Sequence, residues 1–161
     1  MKAYIDAPSL AVLKEVFPSA EYDGDAPQPA VYVPAAEVPS VLKFLRDDGR
    51  FSFGRLENLT AVDYKTYFEV VYHLFSWDTG LWITVKAKLP HDDPNVPSVT
   101  GVFPGADFEE REVFDLMGIG FAGHPNLRRV LLPDNFEGHP LRKDYKQIAP
   151  PYVRRIKREG R

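Results

Sequence analysis

The 161-residue sequence predicts an α+β fold. We expect a two-layer sandwich in the order α-β-β-α-β-β-β, then an irregular, proline-rich C-terminal third with one short helix. Three observations carry this. Two apolar patterns at helical spacing alternate with short extended runs. Leu81 to Leu89 alternates cleanly, and Asp78-Thr79-Gly80 joins it as a hairpin turn to the almost wholly apolar Tyr67–Trp77. Hydrophobic residues make up 44% of a chain with no cysteine, so packing rather than disulfides must hold the fold. The sheet is expected to be mixed or antiparallel, with the helices on one face.

The elements follow in order. Ser9–Phe17 places Leu10, Leu13, Val16 and Phe17 at helical spacing, and Pro18 ends the run. Ala20–Asp23 and Ala30–Val33 are short extended runs separated by a Gly/Pro-rich turn. Ala35–Asp48 is the second helix; Val38, Val41, Leu42 and Leu45 share a face, Pro39 sits in the first turn and Gly49 stops it. Phe51–Tyr64, Tyr67–Trp77 and Leu81–Leu89 are the three remaining strands. After Leu89 prolines punctuate the chain, and only Phe108–Met117 reads as helix. We divide the chain into a domain over 1–145, with its core over 1–89 and motif-bearing loops and helix over 90–145, and a basic tail over 146–161.

Composition excludes several functions. Without cysteine there is no thiolate zinc site, no cysteine nucleophile and no cysteine-ligated iron–sulfur cluster held by this chain alone. No apolar run of about 18 residues spans a bilayer, and the first residues lack the apolar core of a secretory signal. A cytoplasmic protein is expected, with membrane association only through a partner. Charge is uneven: residues 1–123 carry 10 Lys/Arg and 19 Asp/Glu, whereas residues 124–161 carry 10 and 4. An acidic body with a basic end points to an acidic partner for that end.

Two motifs stand out. In the helix around Phe108–Met117, Asp107 and Glu110 have capping-box spacing. Glu109, Glu110 and Glu112 suit the positive end of the helix dipole, and Arg111 lies four residues from both Asp107 and Asp115. The second motif is an internal echo. Phe121-Ala122-Gly123-His124-Pro125, followed by Leu127-Arg128-Arg129, returns as Phe136-Glu137-Gly138-His139-Pro140-Leu141-Arg142-Lys143. Each copy joins an aromatic anchor, a Gly-His-Pro turn, a leucine and two cations. Zinc ligation by His91, His124 and His139 can be drawn on paper, but no spacing demands it; histidines that fix turns through backbone carbonyls are commoner. His91-Asp92-Asp93-Pro94 reads as a polar loop. The Glu-rich helix lacks the Glu-x-x-His pairs of a di-iron bundle. Arg154, Arg155, Lys157 and Arg158 would suit phosphates, yet the body is acidic and no recognition surface is legible, so no nucleic acid is expected.

The run Glu110-Arg111-Glu112-x-x-Asp115-Leu116-Met117-Gly118-Ile119 leads into Phe121-x-Gly123-His124-Pro125-x-Leu127-Arg128-Arg129-Val130-Leu131. Together they resemble the signature of the C-subunit family of NADH–quinone oxidoreductase, respiratory complex I. Gly138-His139-Pro140-Leu141-Arg142-Lys143-Asp144-Tyr145 is similar to the segment that closes that domain. The resemblance implies a non-catalytic subunit of the peripheral arm, at the cytoplasmic face of the cell membrane, docked beside the quinone-site D-subunit and neighbouring arm subunits. It implies no cofactor, metal or catalytic residue in this chain, with NADH, FMN, iron–sulfur clusters and quinone held by partner subunits. Glu110, Arg111, Glu112, Asp115, His124, Arg128, Arg129, His139, Arg142, Lys143 and Asp144 are then expected at partner interfaces or in fixing loops. An equivalent adaptor of a membrane-bound hydrogenase-type or other quinone-reducing complex is the alternative, because the same domain type serves there.

Overall fold

The computed structural model describes residues 3–24 and 29–146. The basic tail expected over 146–161, with its Arg154–Arg158 cluster, lies beyond Lys146 outside the described residues.

The chain opens with a strand β1 (Ala3–Tyr4) that the sequence does not announce, because two residues carry no periodicity. Helix α1 (Ala7–Val16) starts earlier than expected: the Asp6 side chain accepts the Ser9 N–H and Pro8 takes the first turn, where its missing N–H costs nothing. Strands β2 (Glu21–Asp23) and β3 (Ala30–Tyr32) pair antiparallel. The second helical segment divides into a 3-10 turn (Ala35–Glu37) and helix α2 (Val38–Asp47), which buries Val38, Val41, Leu42 and Leu45. Strands β4 (Arg55–Asp63), β5 (Tyr67–Phe75) and β6 (Leu81–Pro90) form an antiparallel meander, with a register shift in β4 between Leu56 and Asn58. The strand expected from Phe51 thus begins four residues later, after a turn in which Phe51 and Phe53 are buried.

The sheet order is β2-β3-β6-β5-β4, with β1 also on β6. It is mixed: β1 and β3 run parallel to β6, while β5 runs antiparallel to it. Register assigns the faces. Phe68, Val70, Tyr72 and Leu74 of β5 stand opposite Leu89, Ala87, Val85 and Ile83 of β6, and all are buried in one core with the apolar sides of the helices. The other face carries Glu69, His73, Lys86 and Lys88. Lys86 reaches Glu69 at 3.3 Å there, and Lys88 lies between the Tyr32 and Tyr67 rings.

Beyond β6, strand β7 (Asn95–Pro97) pairs parallel with β8 (Gly120–Ala122), and helix α3 (Ala106–Met117) crosses between them. The small sheet went unseen in the sequence because each strand exists only through a partner 25 residues away. No helix among the described residues is long and apolar enough to cross a membrane.

Candidate functional site

Helix α3 is the beam on which the motif-bearing segments hang. Its stripe Ala106, Val113 and Met117 is buried in the core, and Gly118 closes it in the left-handed conformation. The expected capping box is absent. Gly105 is the N-cap, and Asp107 lies inside the first turn. That shift frees Glu110 for a tertiary role.

Glu110 lies on the same stripe as Ala106 and Val113 and is fully buried. Its carboxylate accepts the Val99 N–H and the Ser98 hydroxyl, each at 2.7 Å, and so fixes the loop entering the helix. Burial pushes its pKa above the usual carboxylate range, against the pull of those donors and of His124. The Asn126 N–H donates to His124 Nδ1 at 3.0 Å, so the proton sits on Nε2, which faces the Asp107 carbonyl at 3.2 Å. Arg111 donates to the Arg128 and Arg129 carbonyls. The expected ladder is therefore only half built: Arg111 stands 3.7 Å from Asp107, whereas Asp115 turns to another partner.

Asp115 organises the loop over 128–138. One carboxylate oxygen accepts the Val130, Leu131 and Leu132 N–H groups at 2.8–3.0 Å; the other takes Arg129 at 2.7 Å. Burial opposes ionisation, but the Leu132, Leu131, Arg129 and Val130 donors outweigh it and hold the carboxyl down at about 2. Arg129 also donates to the Phe136 and Gly138 carbonyls. His139 Nδ1 donates to the Asp115 carbonyl at 2.9 Å, and the Leu141 N–H to the Leu116 carbonyl at 2.9 Å. The second Gly-His-Pro segment thereby satisfies carbonyls that the end of α3 leaves free. Gly123 and Gly138 both have positive φ, at 81° and 85°, so the echo in sequence is an echo in backbone shape.

A second cluster pins the following segment to the sheet. Buried Asp63, at the end of β4, accepts the Lys65 and Lys143 N–H groups at 2.6 and 2.7 Å. His91 stacks on Phe68 with centroids 4.6 Å apart, and Arg142 covers the Phe68 ring. Asp63, His91 and Asp144 bring three potential metal-ligating atoms within 4.8 Å of one another, a grouping missed in the sequence because the residues are 28 or more apart. The local donors fit a latch better than an ion. Arg142 donates to His91 Nδ1 at 3.2 Å and pairs with Asp144, which leaves the ring proton on Nε2, 3.4 Å from Asp63. A metal at Nε2 would have to displace that proton beside a guanidinium. The zinc set of His91, His124 and His139 is not brought together among the described residues.

The candidate residues therefore divide. Glu110, Asp115 and the His124 side chain are fully buried, and Arg111 is nearly so. Of the two roles expected for them, partner interface or loop fixing, the burial of these side chains fits loop fixing: each acts through the segment it holds. Arg129, His139 and Arg142 are half-buried braces, whereas Glu112, Arg128, Lys143 and Asp144 are exposed. The apolar ends Leu131 and Leu141 stand out beside them. Chemically, the assembly presents a rigid, mixed apolar and charged surface held from beneath.

Known proteins are similar to this chain in sequence and in fold. The family described as the respiratory-chain NADH dehydrogenase 30 Kd subunit matches residues 31–151. The C-subunit of NADH-quinone oxidoreductase from Roseiflexus sp. (strain RS-1) is 50% identical over 129 residues, covering 78% of this chain and 72% of that one. That of Moorella thermoacetica is 45% identical over 136 residues, covering 83% and 90%. Among solved structures, a chain of the membrane-bound sulfane sulfur reductase, an archaeal respiratory membrane complex, superposes with a TM-score of 0.74 at 28% identity, covering 88% of this chain and 85% of that one. The trypsin-resistant fragment of Nqo5 gives 0.62 at 29% identity, covering 74% and 97%.

Proposed function

Because the chain belongs to the 30 Kd subunit family of the respiratory-chain NADH dehydrogenase, we propose that it is a non-catalytic subunit of the peripheral arm of a proton-translocating NADH–quinone oxidoreductase. It docks beside the quinone-site D-subunit at the cytoplasmic face of the membrane and supports electron transfer from NADH to quinone by holding its neighbours in register. The NADH, FMN, iron–sulfur and quinone sites belong to those neighbours. One observation carries the reading. The loops over 128–144 are irregular yet braced by buried Asp115, and they present Arg128, Leu131 and Leu141 outward. A surface stiffened from inside binds without a large ordering cost.

Arg128 gives the clean test, since its exposed side chain has no partner among the described residues. Arg142 does not, because its guanidinium holds His91 and Asp144, and its reversal would break the latch. The Arg128→Glu chain is expected to keep its melting temperature within about 2 °C, as surface substitutions do. Its recovery in the complex purified from gently solubilised membranes should fall roughly tenfold or more, as for a charge that loses its partner on assembly. Wild-type recovery would refute the docking role.

The fold match to the archaeal sulfane sulfur reductase favours a second reading, an equivalent adaptor in another membrane-bound respiratory complex. The chains that co-purify with a tagged copy of this protein separate the two.

A further inference from the structure

The free edge of the sheet contains an unpaired backbone position beside an apolar groove. Among the described residues, strand β4 pairs only with β5. The Tyr64 N–H donates to the Tyr67 carbonyl, which sets the phase of the hairpin: Thr60 and Val62 face β5, and the backbone groups of Leu59, Ala61 and Asp63 point outward. The Glu109 carboxylate of α3 lies against the Leu59 N–H, whose dipole opposes the upward push of burial on its pKa. At the far end, the Asp63 side chain holds the Lys143 N–H and seats the chain over that stretch of the edge. Between these covers, the outward N–H and C=O of Ala61 have no partner among the described residues. They open on a groove of 270 Å³ between β4 and α3; Val113, Leu116, Met117 and Leu141 line it, with Glu112 and Lys143 at its rim. Leu141 is 58% exposed there.

Proteins cover or charge such edges, because an adjacent donor and acceptor on an open strand are the template for another extended backbone. The groove adds selectivity: an apolar side for one alternate residue, and charges of opposite sign at its rim. We propose that the β4 edge at Ala61 receives an extended segment of a neighbouring subunit as a short added strand. Its apolar side chain rests on Leu116, Met117 and Leu141, a basic residue faces Glu112 and an acidic one faces Lys143. A second copy of this chain fits poorly, since pairing β4 against β4 would bring the Glu109 helix and the Lys143 segment of both copies onto one opening of about three residues. The proposal rests on the chain's being part of the respiratory complex.

Ala61→Pro tests it. The lost N–H points away from β5, so the ladder keeps its bonds and edge strands accept proline in that orientation. Ala61→Ser keeps the N–H and is the control. In cells carrying either variant, the Pro chain should be recovered in the purified complex about tenfold less than wild type, and the Ser chain as wild type. The Ala61 amide of the wild-type chain should exchange at least about tenfold more slowly in the complex than in the isolated chain. Equal exchange in the two states, or wild-type recovery of the Pro variant, overturns the proposal. If the Pro variant does not fold, exchange alone decides. Protection in the isolated chain that vanishes on deleting residues 147–161 would make the occupant the chain's own C-terminal segment. Protection that grows with concentration would make it a second copy, and either result overturns the proposal. Loss of Arg128→Glu from the complex alongside full recovery of Ala61→Pro would overturn the added strand alone; recovery of both would overturn the proposed place in the complex as well.

Discussion

Asp115→Ala should detach the loop over 128–138 and cost about 3–5 kcal/mol locally, the range for removing one member of a buried ion pair. Arg129 is left without its anion, and three backbone N–H groups lose the one oxygen they share. Hydrogen exchange reads this directly: the Val130, Leu131 and Leu132 amides should exchange roughly 100-fold or more faster, while the β5 amides change little. Asp115→Asn should recover part of the loss. Its oxygen still serves the three amides, but its NH2 group meets the Arg129 guanidinium. The pH dependence has a definite sign. The carboxyl is held at about 2, below its ordinary 3.8, so the stability it contributes is complete above 3.8 and is lost as pH falls through about 2. The difference between the wild-type and Asn chains should therefore stay constant from neutral pH to about 4 and close only in stronger acid.

Gly118→Ala should cost about 2–4 kcal/mol from two sources, left-handed backbone and overpacking. The residue has a φ of 72°, and an added Cβ would stand 2.6 Å from His139 Cδ2 and 2.8 Å from Nε2. That ring cannot swing aside cheaply, because its Nδ1 holds the Asp115 carbonyl and its edge meets Phe114. The double variant Gly118→Ala, His139→Ala should lose the clash and retain the backbone strain, so the two costs will not add. Gly120→Ala is the informative contrast. Its nearest obstacle is Oδ1 of exposed Asn95, the far end of a side chain that can rotate away at the cost of its exposed hydrogen bond to Asp93. Denaturant unfolding of the wild type, these three variants and His139→Ala alone measures all these differences.

The sequence disclosed those parts of the fold whose evidence is local. Helix α2 was legible because Val38, Val41, Leu42 and Leu45 repeat at helical spacing, and all four are buried. The β5–β6 hairpin was legible from alternation and a turn. By contrast, β1, β7 and β8 are too short to show a period and form only when a remote strand supplies the hydrogen bonds. For the site, the motif residues were legible and their placement was not, while Asp63 gave no signal at all. Glu110 offered one overlooked signal, an acidic residue on the stripe Ala106, Val113, Met117, which argues for a buried and partnered carboxylate.

The sequence by itself determined the fold class, the family and the order of the motif's charged residues, since each is written in periodicity or in motif order along the chain. Only the tertiary structure decided which of those charges face inward. Among neighbours on one helix, Glu112 is exposed while Asp115 is sealed beneath a loop. The difference arises because the backbone N–H groups that make burial of Asp115 favourable come from residues 15 to 17 positions away. Desolvation and its compensation are properties of the assembled fold, and a carboxylate carries no local mark of the donors it will meet.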